Sequence, residues 1–88
     1  MAKEVTCVNK QDRQSPYERI THIGGIGWRD TQTDAIRKIE NRTESYYVRR
    51  GGNQVKVIVA TSRFGHKYLK TESDGDEPNN LLSLPECR

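Results

Sequence analysis

The sequence predicts an α+β fold in a single domain, residues 1–88. One helix packs on a small antiparallel sheet, made of a C-terminal three-strand meander and one or two short N-terminal strands. Three observations lead there. Residues 31–42, TQTDAIRKIENR, place Ala35, Ile36 and Ile39 on one face at helical spacing. Residues 45–50 and 53–62, SYYVRR and NQVKVIVATS, are rich in β-branched and aromatic side chains and are separated only by Gly51-Gly52. The length, 88 residues, suits one domain.

Each element has its own signal. VTCVN at 5–9 alternates weakly and carries β-branched residues, which predicts a short strand. The polar run QDRQSPYE contains Pro16 and reads as a loop. Arg19–Ile23, with Ile20 and Ile23 around Thr21 and His22, predicts a second strand that runs into Gly24-Gly25-Ile26-Gly27. Trp28-Arg29-Asp30 then leads into the helix. Thr31 is its expected N-cap, because the hydroxyl can accept from a free N–H of the first turn, and Asp34 stands at the capping-box position. Asp34 and Lys38 form a favourable i,i+4 pair.

The Gly51-Gly52 link predicts a tight hairpin, since both positions accept positive φ. That turn sets Val48 opposite Val55, Tyr46 opposite Val57, Tyr47 opposite Lys56 and Arg49 opposite Gln54, so apolar residues pair with one another. Arg63-Phe64-Gly65 makes the next turn and HKYLKT, 66–71, returns as the third strand. An even-numbered loop puts Tyr68 on the face of Val57 and Val59, toward the helix. It puts Leu69 on the other face with Ile58 and Ala60, framed by Tyr47, Arg49, Lys56, Lys67 and Thr71. ESDGDEPNN, 72–80, reads as an acidic loop, and LLSLPEC as a turn that tucks Leu81, Leu82 and Leu84 against the core edge.

Composition limits the function classes. A chain this short buries only about 60–65% of the surface its unfolded form exposes. With 32% hydrophobic residues its core is thin, which favours a homo-oligomer whose partner copy completes it. The net charge is +3, from 15 basic and 12 acidic residues, with the bases mostly between Arg37 and Lys70. That is a modest footprint for nucleic acid but suits a small anion. No apolar run approaches the ~20 residues that span a bilayer, and no charged-then-apolar leader opens the chain. A cytoplasmic location with Cys7 and Cys87 both reduced is the resulting expectation. The two cysteines become neighbours only if the chain ends meet.

The catalytic and metal signatures are thin. G-x-S-x-G, H-E-x-x-H and a full Walker motif are absent from the sequence. Cys7, His22, His66 and Cys87 are too widely spaced for a zinc pattern. In ITHIGGIGW, residues 20–28, the order strand, glycines, helix is that of an anion site. G-G-x-G is not the dinucleotide fingerprint, however, and glycines equally serve a corner where only they clear a neighbouring backbone.

Several blocks together resemble a family of small bacterial and phage-associated domains catalogued as a domain of unknown function. They are C-V-N-K at 7–10, R-I-T-x-I-G-G at 19–25, Trp28, D-A-I-x-x-I at 34–39, K-Y-L-K-T at 67–71 and N-L-L-S-L-P-E-C at 80–87. The resemblance implies a small α+β domain and no particular activity. Small proteins in phage-like settings commonly act by binding, for instance by sequestering a host signal or blocking a host protein.

The functional expectation is therefore a non-enzymatic binding module, without cofactor or metal, that captures a small anionic, nucleotide-like ligand at or near a subunit interface. Trp28 or Tyr47 stacks on the base, and Arg29, Arg49 and Lys56 neutralise phosphates. The Gly24-Gly25 backbone and the Thr31 helix start donate N–H or O–H groups. The alternatives are a protein–protein inhibitor or adaptor using the apolar-centred sheet face against a host protein, and weak nucleic-acid binding around Tyr47, Arg49, Lys56 and Lys67.

Overall fold

The computed structural model describes residues 2–11, 19–73 and 79–87. The loop expected at 11–18 and the middle of the acidic loop, 74–78, lie outside the described residues, apart from Gln11. In chain order the elements are β1 (Ala2–Glu4), β2 (Cys7–Lys10), β3 (Ile20–Gly25), β4 (Trp28–Thr31), α1 (Gln32–Glu40), β5 (Ser45–Arg50), β6 (Asn53–Thr61), β7 (Lys67–Thr71) and α2 (Asn79–Leu82). The class is α+β as expected, but the strands form two sheets rather than one. One has the order β1-β5-β6-β7 and the other β2-β3-β4.

The N-terminal segment, expected as one strand over 5–9, is instead divided between the sheets. β1 pairs parallel with β5, Lys3 beside Tyr46, and β2 pairs antiparallel with β3, Val8 opposite Ile23. The crossing residues stay hydrogen-bonded to both sides. The Val5 N–H donates to the Tyr47 carbonyl at 2.8 Å and the Thr6 N–H to the Gly24 carbonyl at 2.8 Å. Val5 is buried at this junction, so one apolar residue between polar neighbours carries the crossing.

Trp28-Arg29-Asp30 does not lead straight into the helix. It forms β4, with Gly25 opposite Trp28 and Gly24 opposite Arg29. The glycines therefore do not turn the chain from strand to helix. Gly24 and Gly25 lie inside β3, and the turn falls at Ile26-Gly27, where Gly27 has φ +79°. Thr31 ends the strand and caps α1: its hydroxyl accepts from the Asp34 N–H at 3.0 Å. The expected Asp34–Lys38 pair is not formed. Asp34 pairs with Arg37 at 2.5 Å, while Lys38 turns inward to Asp30 at 3.1 Å, whose less exposed carboxylate is less screened by solvent than that of Asp34.

The β5–β6 hairpin has the expected register, with Val48 opposite Val55, Tyr47 opposite Lys56 and Arg49 opposite Gln54. Gly51 and Gly52 take φ +56° and +85°, the left-handed pair that this two-residue turn demands. The third strand departs from expectation by one residue. Val59 faces Leu69 and Ala60 faces Tyr68, so Leu69 joins the helix-side core and Tyr68 shares the other face with Ile58 and Ala60. Lys67 and Thr71 change face with Leu69. Ser62 is the cause. Its hydroxyl accepts from the N–H groups of Phe64 and His66, and its own N–H donates to the His66 carbonyl, which fixes an odd, five-residue connection. An odd loop inverts every side chain that follows.

α1 lies across both sheets, against β3 and β4 of one and β6 and β7 of the other. Ala35 is fully buried beneath it, among Ile23, Val48, Val57, Leu69 and Leu81. The leucines of α2 and the turn after it close the core as expected: Leu81 is buried, and Leu82 and Leu84 pack against it. The expectation of two reduced thiols is overturned: Cys7 and Cys87 form a disulfide, 80 residues apart in sequence. β2 presents one edge to the chain's last described residues, which run beside it in parallel with Glu86 next to Val8. That pairing brings the two cysteines together. Among the described residues no helix is long and apolar enough to cross a membrane.

Candidate functional site

Two close backbone approaches shape the region around ITHIGGIGW. A Cβ at Gly24 would stand 2.9 Å from the Cys87 sulfur and 3.1 Å from the Cys7 sulfur. A Cβ at Gly25 would run into the Glu4 carbonyl oxygen and the Trp28 indole nitrogen. Neither glycine has positive φ. The sequence needs them because β3 lies directly beneath the disulfide and the indole. Gly24 is paired on both sides, with Cys7 and Arg29. It belongs to the sheet rather than to a free loop of amides.

These contacts leave a recess of about 390 Å³ lined by Cys7, Gly25, Gly27, Trp28, Arg29 and Cys87. Trp28 is half-buried. Its ring contacts Tyr46 at 5.5 Å between centroids, tilted by 36°, and the Lys3 ammonium stands 5.1 Å from its centroid. Lys3 also pairs with Glu44 at 3.6 Å. Arg29 is exposed and makes no ion pair among the described residues. The wall thus combines an aromatic edge, a guanidinium and open backbone at Gly27, where a Cβ would meet nothing within 4 Å.

A polar network fixes the indole from below. The Tyr46 hydroxyl donates to Asp30 at 2.7 Å, and the Lys38 ammonium donates to the other Asp30 oxygen at 3.1 Å. Burial works to raise the Asp30 pKa. The hydrogen bonds from Tyr46 and Lys38, with the charges of Lys38 and Lys3, outweigh it and hold the carboxyl below its ordinary 3.8. Burial first, and then the bond to Asp30, pushes the Tyr46 phenol far above its usual range, so it remains a donor.

The other expected site residues lie elsewhere. Tyr47 and Lys56 line a second recess of about 290 Å³ with Ala2, Ser45, Tyr46, Gln54 and Glu72. Arg49 stands beside it, 6.0 Å from the Tyr47 ring and paired with Glu4 at 3.6 Å. Lys56 also borders a third recess of about 430 Å³, with Ile39, Arg42 and Ser45 among its walls. Thr31 is spent on capping. The structure therefore brings together Gly25, Trp28 and Arg29, sets Gly24 beneath their disulfide wall, and separates them from Tyr47, Arg49 and Lys56. Sequence reasoning missed Cys7, Cys87, Gly27 and Lys3. The nearest signal was the pair of cysteines, one in each terminal block.

The comparisons add a family and no activity. Neither the curated proteins nor the solved structures give a match to this chain. Residues 4–85 match the family described as "Protein of unknown function (DUF3892)", and with nearly the whole chain covered, the protein belongs to that family.

Proposed function

We propose that the protein is a non-enzymatic binding module whose Trp28–Arg29 recess captures a small planar anion of the nucleotide class. The observation that carries the reading is an exposed Arg29, without an ion pair among the described residues, beside a half-buried Trp28 in one recess of about 390 Å³. That volume is within the usual range for small-ligand sites, roughly 300–1,000 Å³. The indole edge offers apolar contact to a base, and the guanidinium offers a fork to phosphate oxygens. Lys3, placed over the same ring, adds positive potential. The described lining residues supply an aromatic ring, a guanidinium and backbone, groups that suit holding a ligand. In a bacterial or phage setting, capture of this kind amounts to sequestration of a nucleotide signal.

The test is titration of mono-, di- and cyclic nucleotides, followed by thermal shift and by the emission of the single tryptophan. Arg29→Ala should weaken binding about tenfold or more, the worth of a charge-assisted hydrogen bond. Its stability should stay within about 0.5 kcal/mol of the parent, as expected for an exposed side chain. No response to any nucleotide at millimolar concentration would sink the reading.

A further inference from the structure

The disulfide forms one wall of the recess, and it also holds the last described residues of the chain in place. Pro85–Cys87 lies along the open edge of β2 through three hydrogen bonds. The Val8 N–H donates to the Pro85 carbonyl at 2.9 Å, the Cys87 N–H to the Val8 carbonyl at 3.1 Å, and the Asn9 amide to the Cys87 carbonyl at 3.2 Å. Pro85 and Glu86 are exposed; apolar contact with the core resumes at Leu84, and full burial at Leu81. Cys7 and Cys87 are both half-buried and line the recess, so a small reductant can reach the bond through it. Gly24 closes the inner side: its backbone sits where a side chain would strike both sulfurs.

We propose that Cys7–Cys87 is a redox clasp that sets the shape of the Trp28–Arg29 recess. A thiolate of a small dithiol attacks one sulfur, forming a mixed disulfide and releasing the other cysteine as thiolate. The dithiol's second thiolate then displaces the remaining cysteine. The reductant leaves as its own disulfide, two electrons pass to the protein, and each cysteine thiolate takes up a proton from water. Two unbonded thiols need more room than a bonded pair, and Gly24 blocks inward retreat. The strap at 85–87 therefore lifts from β2, while Leu81 keeps α2 seated in the core. The wall facing Trp28 opens. The clasp stands on the strap's hydrogen bonds, the Gly24 contact and the place of the two cysteines in the recess wall; that the recess holds an anion rests on the reading above.

The experiment needs no ligand, so its outcome is separate from that of the nucleotide titration. The whole chain is compared at 10 °C, oxidised and after dithiothreitol, by amide hydrogen exchange, far-ultraviolet circular dichroism and tryptophan emission. Reduction should leave the dichroism unchanged and shift the emission of Trp28. The Val8 and Cys87 amides should come to exchange at least about tenfold faster than those of Val57 and Leu69. Two results would overturn the proposal. One is acceleration of all four amides by a common factor, or loss of the dichroism, which would make the bond a plain staple of the fold. The other is release of the strap with no change at Trp28, which would uncouple the clasp from the recess.

Discussion

Asp30 is only 14% exposed at its side chain, yet it stays ionised because Tyr46 and Lys38 each donate to one of its oxygens. Burial opposes the charge, and the hydrogen bonds and nearby ammonium groups prevail, so its folded pKa lies below 3.8. The sign follows from linkage. A carboxyl with a depressed folded pKa contributes stability that is fully present above its unfolded value and is lost as pH falls through the folded one. Urea midpoints should therefore drop as pH is lowered from 5 to below 3.8, and Asp30→Asn, nearly the same shape, should flatten that slope. An unchanged slope in the variant would assign acid sensitivity to other carboxyls. The residue scale was also where the sequence was least legible. Gly24 and Gly25 are needed for close contacts with residues distant along the chain, the Cys7 and Cys87 sulfurs and the Glu4 carbonyl, as well as with the indole across the hairpin. A glycine required by such a contact looks the same in sequence as one required by a turn.

At the scale of elements, legibility depended on whether the deciding interaction was local. Thr31 capping Asp34 is local, as is the left-handed Gly51-Gly52 turn, and both were readable. Thr31→Ala should cost about 1 kcal/mol in chemical denaturation, the usual worth of an N-cap hydroxyl. A loss under about 0.3 kcal/mol would mean that the β4 pairing, rather than the cap, starts the helix. The β7 register was not readable, because it hangs on the turn at Ser62, whose hydroxyl and N–H together close an odd loop in place of an even one. β1 and β4 escaped for a different reason. AKE and WRDT are short and mostly polar, and they are strands because a partner strand already lies beside them. The candidate site inherited these limits. Gly25, Trp28 and Arg29 met because β3 and β4 form a hairpin, whereas Tyr47, Arg49 and Lys56 belong to the other sheet.

Across the whole molecule, two sheets share one helix, and the disulfide spans 80 residues of an 88-residue chain. A cross-link around a loop of that size restricts the unfolded chain by about 4 kcal/mol in the entropic account. In a domain this small that corresponds to roughly 15–30 °C in Tm. Calorimetry with and without reductant should show a fall of this order, and a fall under about 5 °C would mean that the strap and α2 already confine the ends without it. The parallel run of Glu86 beside Val8 is the part of this architecture that no local pattern announces, since it joins the two extremes of the sequence. It has a mechanical consequence. Tension applied to the chain on either side of the domain enters at Cys7 and leaves at Cys87 through a single covalent bond. The residues between carry no load while that bond is intact. Under pull, the β1–β5 pairing and the Val5 and Thr6 hydrogen bonds lie on the stressed side among the described residues, so the domain yields by peeling Ala2–Thr6, with buried Val5 drawn from the core, and then stops extending. Once the bond is reduced, the same pull reaches β2 and the core.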